Sequence, residues 1–316
     1  MTLAALSLDL VYSAMAVYAL AMVCYFVELA VGEVVVPAAA PVPAPVAAAS
    51  GGSTITLAEP PVAVPAVPRG ERWGRTAVSL TVLAFVLHAA GVVTRGLAAG
   101  RAPWGNMYEF AITATLAASG VLLLGLRSWR VRAVGAVVVP VLLLLLGLAV
   151  TVLYTDAEQL VPALQSYWLW IHVTAATLAA GGFTLGAAFT VLQMARSRAE
   201  SRGRTPRWAV SLPASEQLER MAYRAHVFAF PVFTFAVMAG AIWAENAWGR
   251  YWGWDPKETW SFITWVFYAA ALHARATAGW RGRGSGVLAL LGFAALMFNL
   301  FGVNIWITGL HSYAGV

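Results

Sequence analysis

The 316-residue chain has a single cysteine, Cys24, so no disulfide can form within it. Neither CxxC nor CxxCH occurs, which excludes dithiol redox chemistry and covalent attachment of a haem to this chain itself. Charge is also scarce. Asp, Glu, Lys and Arg make up 11% of the residues, too little to cover a soluble domain of this length. No motif recurs at a period of about 20–50 residues, which argues against a solenoid. The N-terminus lacks a basic segment, and Asp9 precedes the first apolar run, so that run reads as a retained span. Ala38, Ala39 and Ala40 then only mimic a cleavage site, and Cys24 reads as a small buried apolar residue.

Apolar residues are abundant instead, at 60%, with a mean hydropathy of +0.74. Apolar stretches of about 18 residues or more with few charges predict eight spans. They cover residues 9–32, 76–98, 107–126, 131–153, 168–194, 220–243, 260–278 and 285–309. The expected fold class is all-α, a polytopic integral membrane protein of about eight transmembrane helices. The net charge of +6 does not point to nucleic acid, because the basic residues sort by loop. Arg69, Arg72 and Arg75 precede the second span, and Arg127, Arg130 and Arg132 join the third to the fourth. Arg196, Arg198, Arg202, Arg204, Arg207, Arg220 and Arg224 surround the loop between the fifth and sixth, and Arg275, Arg281 and Arg283 join the last two. The opposite side holds Arg95, Arg101, Arg250 and Lys257. The positive-inside rule therefore places both termini outside. Residues 1–33 read as a first transmembrane helix, 34–75 as a Pro/Ala-rich cytoplasmic linker and 76–316 as the main transmembrane domain. The basic loop 195–219 is expected to lie on anionic headgroups.

The chemistry gathers on the other side, where the loops carry Trp104, Asn106, Trp248, Trp252, Trp254, Asp255 and His311, with Trp168 and Trp170 entering the fifth span. The outer loop 243–260 contains Trp243, Trp248, Trp252, Trp254 and Trp260. An interfacial aromatic belt is one reading. A belt, however, spreads over many span ends and has no need of Gly249, Gly253 and Pro256 to fold it back. The other reading is a π-rich floor for a flat ligand, with Arg250 and Lys257 pairing with carboxylates on its edge. Asp255 is a weak candidate for acid–base catalysis, since a carboxylate before proline equally fixes a loop.

Of the five histidines, His172 and His311 lie at the outer ends of the fifth and eighth spans, flanking the tryptophans. Either alone reads as solvated by headgroups; as a pair they can approach a metal from opposite faces. His273 lies 13 residues beyond Trp260, about 20 Å inward along a helix, where an ionisable group is a functional candidate by default. His88 reads as a buried hydrogen-bonding residue and His226 as facing the inner headgroups. Glu109 is expected to cap the third span or to orient a polar neighbour.

The stretch WGRYWGWDPKETW (248–260) resembles the tryptophan-rich "WWD" signature of haem-handling proteins. Together with APWGNMYEF (102–110), LVPALQSYWLWIHV (160–173), WVFYAAALHAR (265–275) and GVNIWITGLHSY (302–313), it makes the chain similar to the CcsA/ResC family, also labelled CcsB in some lineages, of system II cytochrome c biogenesis. The resemblance implies haem b as cofactor, with His172 and His311 as outer axial ligands and His273 as a transmembrane ligand. It implies a ResB-type membrane subunit that supplies the second transmembrane ligand, and apocytochrome c (CxxCH) as protein substrate. It further implies a place in the cell membrane and a role as one subunit of a holocytochrome c synthase, active only with its partner. A non-catalytic haem chaperone or exporter shares these features. A membrane electron-transfer cytochrome of the b type fits less well, because paired histidines on one helix are absent, and a transporter with aromatic gating lacks the expected matching halves.

Overall fold

The computed structural model describes residues 2–31, 69–129, 131–157, 165–203, 206–210, 212–277, 279–280 and 282–311. The predicted linker 34–68 lies outside the described residues. Within them the chain is helical throughout, without strands: α1 (Leu3–Val31), α2 (Arg69–Ala99), α3 (Met107–Trp129), α4 (Gly135–Thr151), α5 (Tyr167–Ser201), the short α6 (Arg207–Val210), α7 (Ser215–Trp248), α8 (Pro256–Thr277) and α9 (Arg283–Met297). A π-helical turn, Phe298–Gly302, carries α9 into α10 (Val303–Trp306).

Among the described residues seven helices are long and apolar enough to cross a membrane. The predicted span at 260–278 corresponds to α8, which has the length, 22 residues, but is less apolar because Lys257, Glu258, His273 and Arg275 lie along it. Helices also overrun their apolar stretches. Arg69 to Arg75, read as linker, form the first turns of α2. Much of the predicted basic loop 195–219 is the end of α5 and the start of α7. Ion pairs one turn apart, Arg196–Glu200 at 2.9 Å and Glu216–Arg220 at 2.7 Å, support helix where burial no longer does.

Helix α5 is the centre of the bundle. Of its apolar window 78% is buried, against at most 56% in the other spans. Lipid gives helices no hydrophobic reason to associate, so close packing of small residues must hold them together. At the α5–α7 crossing a Cβ on Gly182 would come within 2.9 Å of the Ala229 Cβ. Phe183 stacks on Tyr268 of α8 at 3.7 Å, and Phe233, Ala289 and Leu296 complete that cluster. A larger core joins α1–α4 around Tyr18, Tyr25, Leu122 and Leu142. A small third cluster of Leu169, Val173 and Trp243 sits where α5 and α7 reach the tryptophan-rich end.

Two loops at that end are fixed by the same device. Glu109, fully buried in the first turn of α3, accepts hydrogen bonds from Arg95 Nε (3.0 Å), an Arg101 guanidinium nitrogen (2.6 Å) and the Gly105 N–H (2.9 Å). Asn106 caps α3 by accepting from the Glu109 N–H at 2.8 Å. In the second loop Glu258 accepts from the Gly253 N–H (2.8 Å), the Asp255 N–H (3.0 Å) and Arg250 (3.4 Å). Each glutamate thereby folds its preceding loop over a helix N-terminus, where a negative charge is favoured. Glu109 thus both caps and orients. Replacing it with leucine would strand two arginines, one of them 1% exposed. Glu109→Leu is expected to cost about 3–5 kcal/mol. Glu258→Leu is expected to cost less, because Arg250 reaches solvent. Unfolding titrations of both variants in mixed micelles check the order.

Candidate functional site at the tryptophan end of the bundle

A cavity of about 150 Å³ opens between α5, α7, the start of α8 and the π turn after α9. Helix α7 ends at Gly249, whose left-handed backbone (φ 71°) turns the chain back over the cavity. Trp104, Phe110, Trp243, Trp248 and Trp252 line it, with His172, Lys257, Asn299 and His311. The two histidines, read as a pair from the outer ends of the fifth and eighth spans, therefore meet in one cavity. Trp243 neighbours both, parallel to His172 (6.3 Å, 4°) and 6.1 Å from His311. Trp248 lies edge-on to His311 at 4.9 Å.

Each imidazole is held through Nδ1. His172 Nδ1 is 2.8 Å from the Ala236 carbonyl oxygen. A carbonyl only accepts, so Nδ1 carries the proton and Nε2 keeps a lone pair. Gly240 makes this seat possible: a Cβ there would fall 2.7 Å from the His172 ring. His311 Nδ1 is 2.8 Å from Asp255 Oδ1, again an acceptor, so Nε2 is the nitrogen through which His311 would bind a metal. Burial pushes the His311 imidazole below its ordinary value, and the Asp255 hydrogen bond opposes this. Two imidazoles with the same nitrogen engaged form a donor set suited to a haem iron. The aromatic walls suit its flat faces.

Asp255 lies behind this set and outside the cavity lining. It is 7% exposed and accepts from His311, from the Leu310 N–H (2.7 Å) and from the Lys257 N–H (3.1 Å). Lys257 extends into the cavity with Nζ 5.9 Å from the Phe110 ring centroid and, among the described residues, no ion-pair partner. Other predicted residues lie elsewhere. Trp254 is 65% exposed, in a left-handed conformation (φ 58°), edge-on to Trp252 and Phe262. Trp260 packs on Phe298 at 4.3 Å, and Arg250 is committed to Glu258. His273 stands on the exposed face of α8, remote from the cavity.

His226 is a correction. It is 5% exposed, 5.3 Å from the Tyr268 ring and 3.3 Å from Thr190, because Gly186 clears the space it fills; it does not face headgroups. His88 is buried as expected, edge-on to Tyr18, but among the described residues neither ring nitrogen makes a hydrogen bond of ordinary geometry, so the expected hydrogen-bonding role is not met. Asn299 was not singled out in the sequence, and Trp243 entered only as one of the five tryptophans of the loop. The signal for Trp243 was Gly240 one turn earlier on the same helix face.

The family model for cytochrome c assembly proteins matches residues 104–311, so it begins at Trp104 and ends at His311, both in the cavity wall. The chain belongs to the CcsA family of these proteins. It is 34% identical over 250 residues to the cytochrome c biogenesis protein CcsA of Trieres chinensis, covering 70% of this chain and 80% of the relative. It is 32% identical over 286 residues to CcsA of Porphyra purpurea, covering 78% and 90%. CcsA of Synechococcus sp. (strain JA-2-3B'a(2-13)) is 34% identical over 283 residues, covering 71% and 81%. The fold is similar to that of the cytochrome c haem lyase CcmF, with a TM-score of 0.66 at 20% identity over 95% of this chain. The chain spans about half of that protein, 47%. Among CcsA proteins and here alike the role lies in cytochrome c maturation, and α1 and α2 fall outside the family match.

The Asp255 carboxyl gives the site a pH signature. Burial pushes it up, but the hydrogen bonds from His311 and Leu310 outweigh this and carry it down to about 2. Its unfolded value is near 3.9. A carboxyl lowered by folding stabilises in full above the unfolded value and loses that contribution as pH falls through the folded one. Wild-type melting temperature should therefore fall between about pH 4 and about pH 2 by more than that of Asp255→Asn. Melts of the detergent-solubilised protein across that window measure the difference, and identical curves would remove Asp255 from the stability account.

Proposed function

We propose that this protein binds haem b in the tryptophan-lined cavity between His172 and His311, and presents it at the outer membrane face for attachment to the CxxCH of apocytochrome c, acting with a ResB-type membrane subunit in a system II pathway. The carrying observation is the convergence of two imidazoles with committed Nδ1 atoms on one aromatic cavity. When bound, haem supplies the vinyl groups that take up the two cysteine thiols as thioethers.

The chain's own residues then bind, orient and shield. Trp243, Trp248 and Trp252 provide stacking faces and keep water away from the macrocycle. Lys257 is the cation placed to pair with a propionate. His172 and His311 would hold the iron. Among the described residues nothing in the cavity forms an acid–base pair, and Asp255 is committed to His311, so its role is to hold that ligand and the rate comes from proximity. The arginine distribution supports the outer-face orientation, since the cavity lies at the arginine-poor end. The cell membrane is the expected location.

His273 supports the need for a partner. Its ring projects from an exposed face of α8 and has no hydrogen bond among the described residues, which fits a second ligand supplied by another protein. His273→Ala, purified with the partner subunit, should fold normally and lose the haem bound at that depth. Wild-type haem content in that complex would remove His273 from the ligand set.

For the cavity, His172→Ala and His311→Ala should each lower cytochrome yield by at least the roughly tenfold that losing even an outer partner of a metal ligand costs. Added imidazole should restore part of each loss. The double variant should be little worse than the weaker single, because both act on one iron. Haem-stained cytochrome from a reporter host lacking other maturation systems reads the outcome. Small additive losses without rescue would indicate two independent solvated histidines.

A further inference from the structure

The two cavity imidazoles are seated on chemically different acceptors. His172 donates to a neutral carbonyl in α7, that of Ala236, at 2.8 Å. His311 donates to a buried carboxylate at 2.8 Å, and the other oxygen of that carboxylate takes the Leu310 N–H at 2.7 Å. The tail is pressed onto Asp255 so closely that a Cβ on Gly309 would fall 2.7 Å from Oδ2. The approach therefore needs glycine at that position. A carboxylate draws the Nδ1 proton toward itself and raises electron density on Nε2, which a backbone carbonyl does far less. A stronger axial donor favours the oxidised iron over the reduced iron and lowers the potential.

We infer that Asp255 is a positioning residue acting through His311, fixing its ring and making it the stronger of the two axial donors, so that the His172 side is the weaker attachment. This rests on the haem reading above. It is separate from the hydrogen bond by which Asp255 caps the start of α8, accepting from the Lys257 N–H at 3.1 Å, because asparagine at the same position keeps a capping acceptor of nearly the same volume while removing the charge.

The test uses the full chain purified with haem, as wild type, Asp255→Asn, Asp255→Glu, His172→Gly and His311→Gly. Optical redox titration gives the midpoint potential, and transfer of haem to apomyoglobin gives its rate of loss. Asp255→Asn should raise the potential and speed haem loss by about 10- to 100-fold, while Asp255→Glu, which keeps the charge, should move both back toward wild type. His311→Gly should lose haem faster than His172→Gly. A folded Asp255→Asn with unchanged potential and rate, or equal loss from the two histidine variants, overturns the inference while leaving the haem reading intact. A wild type that takes up no haem overturns both.

Discussion

The carboxylate of Asp255 joins the start of α8 to the tail after α10, and the shape of the cavity follows from that junction. Its bonds to Leu310 and His311 hold the tail against the loop between α7 and α8. The loop itself is pinned from the other side by Glu258, which collects the Gly253 and Asp255 N–H groups. Two carboxylates three residues apart thus do different work. Glu258 folds the loop, and Asp255 ties the loop to a ligand. Both lie where low polarity strengthens a satisfied hydrogen bond and makes an unsatisfied one costly.

The opposite wall depends on close packing. α5 and α7 approach within the reach of glycine and alanine, and the histidines of this pair of helices occupy notches left by glycine on the facing helix: His172 at Gly240 and His226 at Gly186. One notch opens to the cavity. The other is closed by Tyr268 and Phe183. The same packing rule therefore produces one ring available to a ligand and one that belongs to the interior, and their difference lies in what covers them.

Much of this was legible in the amino-acid order, because lipid imposes a coarse and length-dependent pattern: apolar runs marked the spans. Helix ends were not legible, since the outer turns of α5 and α7 are held by local ion pairs such as Arg196–Glu200 that hydropathy does not register. The pairing of His172 with His311 was expected, but the division of labour among the tryptophans was not. Trp252 and Trp254 are separated by one glycine, and only the left-handed turn at Trp254 sends one into the cavity and the other out. His226 was misplaced for a related reason. Its neighbour Arg224 suggested the surface, whereas the space that accepts its ring is made by a glycine on another helix.

The central claim is that His172 and His311 coordinate one haem. The most direct measurement is the absorption spectrum of the purified protein with its partner, in a His273→Ala background so that only cavity haem contributes. The account predicts a low-spin, six-coordinate b-type spectrum with resolved α and β bands, converting to high spin when either His172 or His311 is replaced by glycine. A preparation without a Soret band, or one whose spectrum is indifferent to both replacements, would contradict it.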